Sequence, residues 1–292
     1  MVYLQQLQLP SGNAEADAMI AEKRTCFGTR YPFKIFPEKQ LEYIDFAPIT
    51  VFYGGNGSGK TTLLNVIADL CGVIRHSEYN KSAFFDRYTE MCRAWGDEIP
   101  PSSQILSSDD VFDYVMNMRY LNGNVDFHRE ELFRGYGLIH KKARDEGESY
   151  TQLHGLEDYE RWKEVRDALD KNRSQSTFVK ERLAKNVDMF SNGETAMRYF
   201  TEHIDKEALY LLDEPENSLS VQFQLDLAKY ISDSAKYFDC QFVISTHSPI
   251  LLAMEGAKIY DLDSCPVRAK GWTELENVRA YYEFFKEHDA EF

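Results

Sequence analysis

The chain has 292 residues, of which 43% are hydrophobic and 14% aromatic, enough to build a sizeable core and too many for a disordered chain. Its formal charge of −15 sets the surface against phosphate backbones and anionic lipid, so broad nonspecific binding to nucleic acid or membrane is disfavoured. The five cysteines include no CxxC pair, which argues against a disulfide scaffold or zinc ribbon and for free thiols in a reducing, cytoplasmic setting.

The opening "MVYLQQLQLP" lacks a basic region followed by an apolar run, so it does not read as a signal peptide. No stretch of about 20 apolar residues exists to span a bilayer. Val2–Leu9 reads as a strand, with a turn expected at Pro10–Asn13. "RYPFKIF" (Arg30–Phe36) reads as a further strand or sheet edge, with prolines limiting its pairing. "ITVFYGG" (Ile49–Gly55) is a short apolar run ending in glycines, the pattern of a buried strand entering a tight turn. Leu63, Leu64, Ile67, Leu70 and Cys71 then recur at helical spacing, and Gly72 supplies a C-terminal stop.

Residues 73–188 show few clean periods and read as a mostly helical insertion or lid. Their basic residues Arg161, Lys163, Arg166, Lys171, Arg173, Lys180, Arg182 and Lys185 offer a face for a partner or nucleic acid, but the interleaved Glu164, Asp167, Asp170 and Glu181 favour a solvated helix face. From 189 the order sharpens. A helix starts at Ser191, whose spacing to Glu194 forms a capping box. The strand "ALYLLDEP" (Ala208–Pro215), a helix around Gln222–Lys236, the strand "QFVISTHSP" (Gln241–Pro249), the strand "AKIYDLD" and a terminal helix "ENVRAYYEFFKEH" follow. Strands alternating with helices imply an α/β fold with a largely parallel sheet.

Three places carry chemistry. "GGNGSGKT" (Gly54–Thr61) satisfies G-x-x-x-x-G-K-[ST] between a strand and a helix. Gly54, Gly55, Asn56, Gly57, Ser58, Gly59, Lys60, Thr61 and Thr62 are therefore the candidate nucleotide-binding residues. Backbone N–H groups and the positive end of the helix would cradle phosphates. Lys60 would reach the β and γ phosphates, and Thr61 would offer its hydroxyl to Mg²⁺. At the end of the buried strand "LYLLD", Asp213 is the candidate Mg²⁺-binding carboxylate, and Glu214 could orient the attacking water. His247 follows a second strand end on the same side of the sheet, where it could contact the γ-phosphate; the other six histidines read as surface or core residues.

In this order and spacing, Gly54–Thr61 resembles Walker A and Leu209–Glu214 resembles Walker B. Glu216–Ser220 is similar to a D-loop, His247 to a switch histidine and "FSNGE" to the signature motif of ABC-type ATPases. "DEPENSLS" and "STHSPILL" resemble the soluble SMC-related branch more than transporter subunits. The match covers about 1–72 and 189–292, and it implies a P-loop, ABC-ATPase-like head with the 73–188 insertion. The resemblance also implies ATP and Mg²⁺ as cofactors and a head-to-tail homodimer in which Ser191 and Gly193 of one copy cap the nucleotide of the other. It further implies hydrolysis to ADP and phosphate and a protein partner of the kind found in DNA repair or anti-phage systems. The alternatives are a poorly hydrolysing, nucleotide-gated scaffold that restrains a toxin or nuclease, and a transporter ATPase subunit. Departures from the family are Phe190 for leucine, Asn192 for glycine and Val221 for proline. Gln104 and Asp109 are alternative candidates for the family's Mg²⁺-contacting glutamine, and Tyr31 and Phe33 read as core rather than adenine-stacking residues.

Overall fold

The computed structural model describes residues 1–23, 26–152, 158–170, 174–183 and 191–292. In chain order, the first elements are β1 (Leu4–Gln8), α1 (Gly12–Ala21), β2 (Tyr43–Asp45), β3 (Ile49–Tyr53), α2 (Lys60–Cys71) and α3 (Phe85–Met91). Next come β4 (Arg93–Gly96), β5 (Gln104–Ser107), α4 (Ser108–Glu146), α5 (Glu148–Thr151), α6 (Tyr159–Leu169), α7 (Gln175–Arg182) and α8 (Asn192–His203). The last are β6 (Leu209–Asp213), α9 (Val221–Tyr237), β7 (Gln241–Ser245), α10 (Pro249–Leu252), β8 (Lys258–Asp261), β9 (Arg268–Lys270) and α11 (Glu276–Glu287).

Six strands form one sheet in the order β5-β6-β7-β3-β8-β9, parallel except for the β8–β9 pair. β3 and β7 are buried along their whole length, as continuous apolar runs covered on both faces should be. Helix α2 packs on β6 and β7. The register aligns Ser107, Asp213 and Ser245 across β5, β6 and β7, and Ser245 with Phe52 on β3. The C-terminal ends of these strands therefore form one edge, from which the glycine-rich loop departs after Tyr53.

A second, antiparallel sheet has the order β2-β1-β4. Gln241, fully buried at the start of β7, ties it to the main sheet: its Oε1 accepts from the Leu4 N–H and its Nε2 donates to the Leu4 carbonyl, both at 2.8 Å. The core between the sheets includes Leu7, Phe36, Ile44, Phe52, Leu63 and Ile67.

The chain divides into two compact units, Met1–Asp113 with Phe190–Phe292, and Tyr114–Met189. The second unit is helical, around a small core of Ile139, Val165, Ala168, Phe178 and Val179. In it Arg182 pairs with Asp167 at 2.8 Å and lies over the Phe178 ring, while Arg166 lies over Trp162. These basic side chains are thus engaged within the unit; Lys171, Arg173 and Lys185 lie outside the described residues.

Several expectations change. The insertion was expected to begin at 73, yet residues 73–113 supply α3, β4 and β5 to the first unit. Strand β5 has four residues, too few to show a period, and gains its identity by pairing with β6. The expected turn at Pro10–Asn13 is the start of α1, capped by Ser11, whose side chain accepts from the Ala14 N–H. "RYPFKIF" is a run of turns rather than a strand. Lys34 there adopts a φ of 74° and Phe33 and Phe36 both point into the core, which strand alternation does not allow.

Candidate functional site

The phosphate loop is built as its sequence demands. Gly59 caps α2 with a φ of 98°, a left-handed conformation that a β-carbon would strain. The first helical bond of α2 is Leu63 N–H to the Gly59 carbonyl at 2.9 Å. The amides at the helix start before it have no helical acceptor and are available to an anion. The Ser58 hydroxyl is buried without a partner among the described residues. Lys60 is 5% exposed, and its Nζ donates to the carbonyls of Gly54 at 2.7 Å and Gly55 at 3.2 Å, with Glu214 Oε1 at 3.5 Å. Asn56–Thr62, Tyr31, Ile35 and Glu214 line a cavity of about 310 Å³ over this loop.

The two acidic candidates, Asp213 and Glu214, have different partners. The Thr61 hydroxyl donates to Asp213 Oδ1 at 3.1 Å, and the Ser245 hydroxyl makes a short hydrogen bond to the same oxygen. Burial raises the Asp213 carboxyl from its ordinary value, and the Ser245 and Thr61 hydroxyls pull it back. Glu214 takes a φ of 48° and ψ of 53°, a strained backbone for a residue with a β-carbon. The strain is held by its N–H, which donates to the Ser245 carbonyl at 3.0 Å, and the turn aims its side chain away from Asp213 toward Lys60. Asn217, in the 3₁₀ turn after β6, donates to Glu214 Oε2 at 3.1 Å.

A metal fit follows from these donors. Thr61 and Asp213 present a hydroxyl and a carboxylate at hydrogen-bond distance, hard oxygens suited to Mg²⁺. Among the described residues no group of three or more His, Cys, Asp or Glu side chains is set to hold a metal.

The structure brings Lys60, Thr61, Asp213 and Glu214 together. His247, Ser191 and Gly193 line neither this cavity nor its neighbour. The His247 side chain is 46% exposed, with Nδ1 3.4 Å from Glu216 Oε1. Ser191 and Glu194 form the expected capping box: the Glu194 N–H donates to Ser191 Oγ at 3.3 Å and the Ser191 N–H to Glu194 Oε2 at 2.8 Å. That second bond holds the Glu194 carboxyl below its ordinary value. Asn192 is the first residue of α8 and is not among the residues with positive φ, so the glycine usual in the family is not needed here for backbone freedom. Gly193 is needed: a β-carbon there would stand 2.8 Å from the Phe223 ring. Phe190 lies outside the described residues.

Sequence reasoning missed several neighbours. Tyr31, read as core, is half-buried; its hydroxyl donates to Thr62 Oγ1 at 3.0 Å and its side chain lines both cavities, because its turn folds over the start of α2. Phe33 is core, as read. Asp263, after β8, accepts from the Gly55 N–H at 2.7 Å and braces the first turn of the loop. A second cavity, of about 470 Å³, adjoins Thr61 and Asp213 and is lined also by Asn65, Arg75, Tyr79, Ser107 and Asp109. Of the two glutamine-substitute candidates, Asp109 reaches this cavity, whereas Gln104 donates to the His203 carbonyl. No local pattern marks these residues, since tertiary packing alone brings them to the loop.

Family comparison agrees with the geometry. Residues 177–252 match the model of the AAA ATPase domain, and residues 32–90 match that of the AAA domain. The chain carries an ATPase-type P-loop domain. One matched segment holds Lys60 and Thr61, and the other holds Asp213 and Glu214. A comparison with curated proteins gives no match. Among solved structures, the P-loop domain is similar to an Smc head domain with an extended coiled coil bound to the C-terminal domain of ScpA, from Pyrococcus furiosus, at 14% identity and TM-score 0.43, covering 96% of this chain and 99% of that one. It is also similar to an Smc head bound to the C-terminal winged-helix domain of ScpA, at 16% identity and TM-score 0.41, covering 95% and 99%. A dimeric ATP-binding cassette in a post-hydrolysis state with ADP and Pi matches at 14% identity and TM-score 0.35, covering 79% and 88%. No helix among the described residues is long and apolar enough to cross a membrane.

Proposed function

We propose that this chain binds and hydrolyses Mg-ATP as an ABC-type ATPase, closing as a homodimer around the nucleotide and switching a partner protein machinery. The observation that carries the reading is the convergence of Lys60, Thr61, Asp213 and Glu214 at one cavity from two distant segments. In this reading Lys60 leaves the Gly54 and Gly55 carbonyls for the β and γ phosphates. The start of α2 stabilises their charge, a term of ~0.3–2 kcal/mol from the helix dipole. Thr61 and Asp213 would hold Mg²⁺, which when bound would supply charge neutralisation at the phosphates. Glu214, released from Lys60, orients the attacking water.

The other half of the site comes from a second copy. Ser191 and Gly193 sit at a helix start outside the protomer's own loop cavity. Glu194 is folded back on the Ser191 N–H, so its charge is engaged locally rather than aimed at a phosphate. The Ser191 hydroxyl and Gly193 N–H would then add charge-assisted hydrogen bonds to a γ-phosphate, which favours the dimer while ATP is intact. A role in DNA repair or anti-phage defence rests on the resemblance of the motifs. The test is phosphate release by wild type and Glu214→Gln: the variant should bind ATP and lose turnover, and unchanged turnover would remove Glu214 from the chemistry.

A further inference from the structure

The geometry points to Glu216 as a positioning residue that fixes the orientation and tautomer of His247. The inference rests on the reading of His247 as a γ-phosphate contact. Glu216 lies in the 3₁₀ turn after β6 and is 6% exposed. Its Oε1 accepts from two groups of the segment after β7, the Thr246 hydroxyl at 2.6 Å and the His247 N–H at 2.9 Å, and lies within ion-pair distance of His247 Nδ1, 3.4 Å away. Thr246 Oγ1 in turn accepts from the Ser248 N–H at 3.0 Å, and the Ser248 hydroxyl donates to Gln224 at 2.7 Å. The turn bearing His247 is thus folded around one buried carboxylate oxygen.

A carboxylate facing Nδ1 selects the ring form with a proton on Nδ1. Nε2 is then the ring nitrogen that carries the free lone pair. Were Nε2 to donate to a phosphate, both ring nitrogens would carry protons, and Glu216 would be the adjacent counter-charge. Its second oxygen, Oε2, is buried without a partner among the described residues, so the carboxylate is not fully satisfied by its neutral donors and has charge to share with the ring. The same 3₁₀ turn places Asn217 on Glu214, so one four-residue turn orients both groups assigned to the γ-phosphate end.

The experiment is ¹⁵N NMR of histidine-labelled protein without nucleotide, using His247→Ala to assign the signal, paired with steady-state ATP turnover. Wild type should show His247 protonated on Nδ1. Glu216→Gln keeps an acceptor oxygen, so it should retain that tautomer and lose turnover about tenfold at unchanged KM, for want of the charge. Glu216→Ala should lose both the tautomer preference and turnover. A wild-type tautomer in Glu216→Ala overturns the inference, as does wild-type turnover in Glu216→Gln, the arm that decides if the alanine variant does not fold. Absence of turnover in wild type would count against the ATPase reading instead, and the NMR arm still decides the role of Glu216.

Discussion

The Thr61 hydroxyl lies 3.1 Å from the Asp213 carboxylate although 152 residues separate them in the chain. The contact joins the start of α2 to the end of β6. Burial raises the Asp213 carboxyl, so in the nucleotide-free protein the folded state binds its proton more tightly than the unfolded chain. This group's stabilising contribution is full below the unfolded value and is lost as pH rises through the raised folded one. Mg²⁺ and the proton compete for the same oxygens. The thermal stabilisation by Mg-ATP should therefore be larger at about pH 7.5 than at about pH 5. Asp213→Asn should abolish the Mg²⁺-dependent part at both, measured by differential scanning fluorimetry.

Gly193→Ala separates packing from phosphate contact at the start of α8. The new β-carbon meets Phe223 at 2.8 Å, an overpacking that should cost about 1–3 kcal/mol. Phe223→Leu should recover that stability in the double variant, as read by urea denaturation. Nucleotide turnover should stay impaired in the double variant only if the Gly193 backbone has to approach a phosphate.

Gln241 makes a purely structural prediction. Gln241→Leu leaves the Leu4 N–H and carbonyl without their 2.8 Å partners between the two sheets. Unsatisfied buried groups of this kind cost about 1–3 kcal/mol each. The variant should lose roughly 2–5 kcal/mol in denaturant unfolding while the nucleotide affinity of the folded fraction is unchanged.

What the sequence discloses is set by how local each feature is. Strands β3, β6 and β7 are short apolar runs, and all stand where the pattern places them. The capping box at Ser191 depends on four consecutive residues, and it forms. In contrast, β4 and β5 are four-residue strands whose pairing is decided by partners far away in the chain. "RYPFKIF" has the composition of a strand, but burial of Phe33 and Phe36 in the core overrides it. Tyr31, Asp263 and Glu216 make their contacts with residues far along the chain, which leave no periodic trace.

The central claim is that one working nucleotide site takes Lys60 from one copy and Ser191 from another. Two inactive variants, Lys60→Ala and Ser191→Glu, test it when mixed. A mixed dimer holds one site with both residues intact and one with neither. The account predicts that each variant alone releases little phosphate from Mg-ATP, and that an equimolar mixture recovers a substantial fraction of wild-type turnover. A mixture no more active than its components, or a Ser191→Glu chain that turns over ATP like wild type, would contradict it.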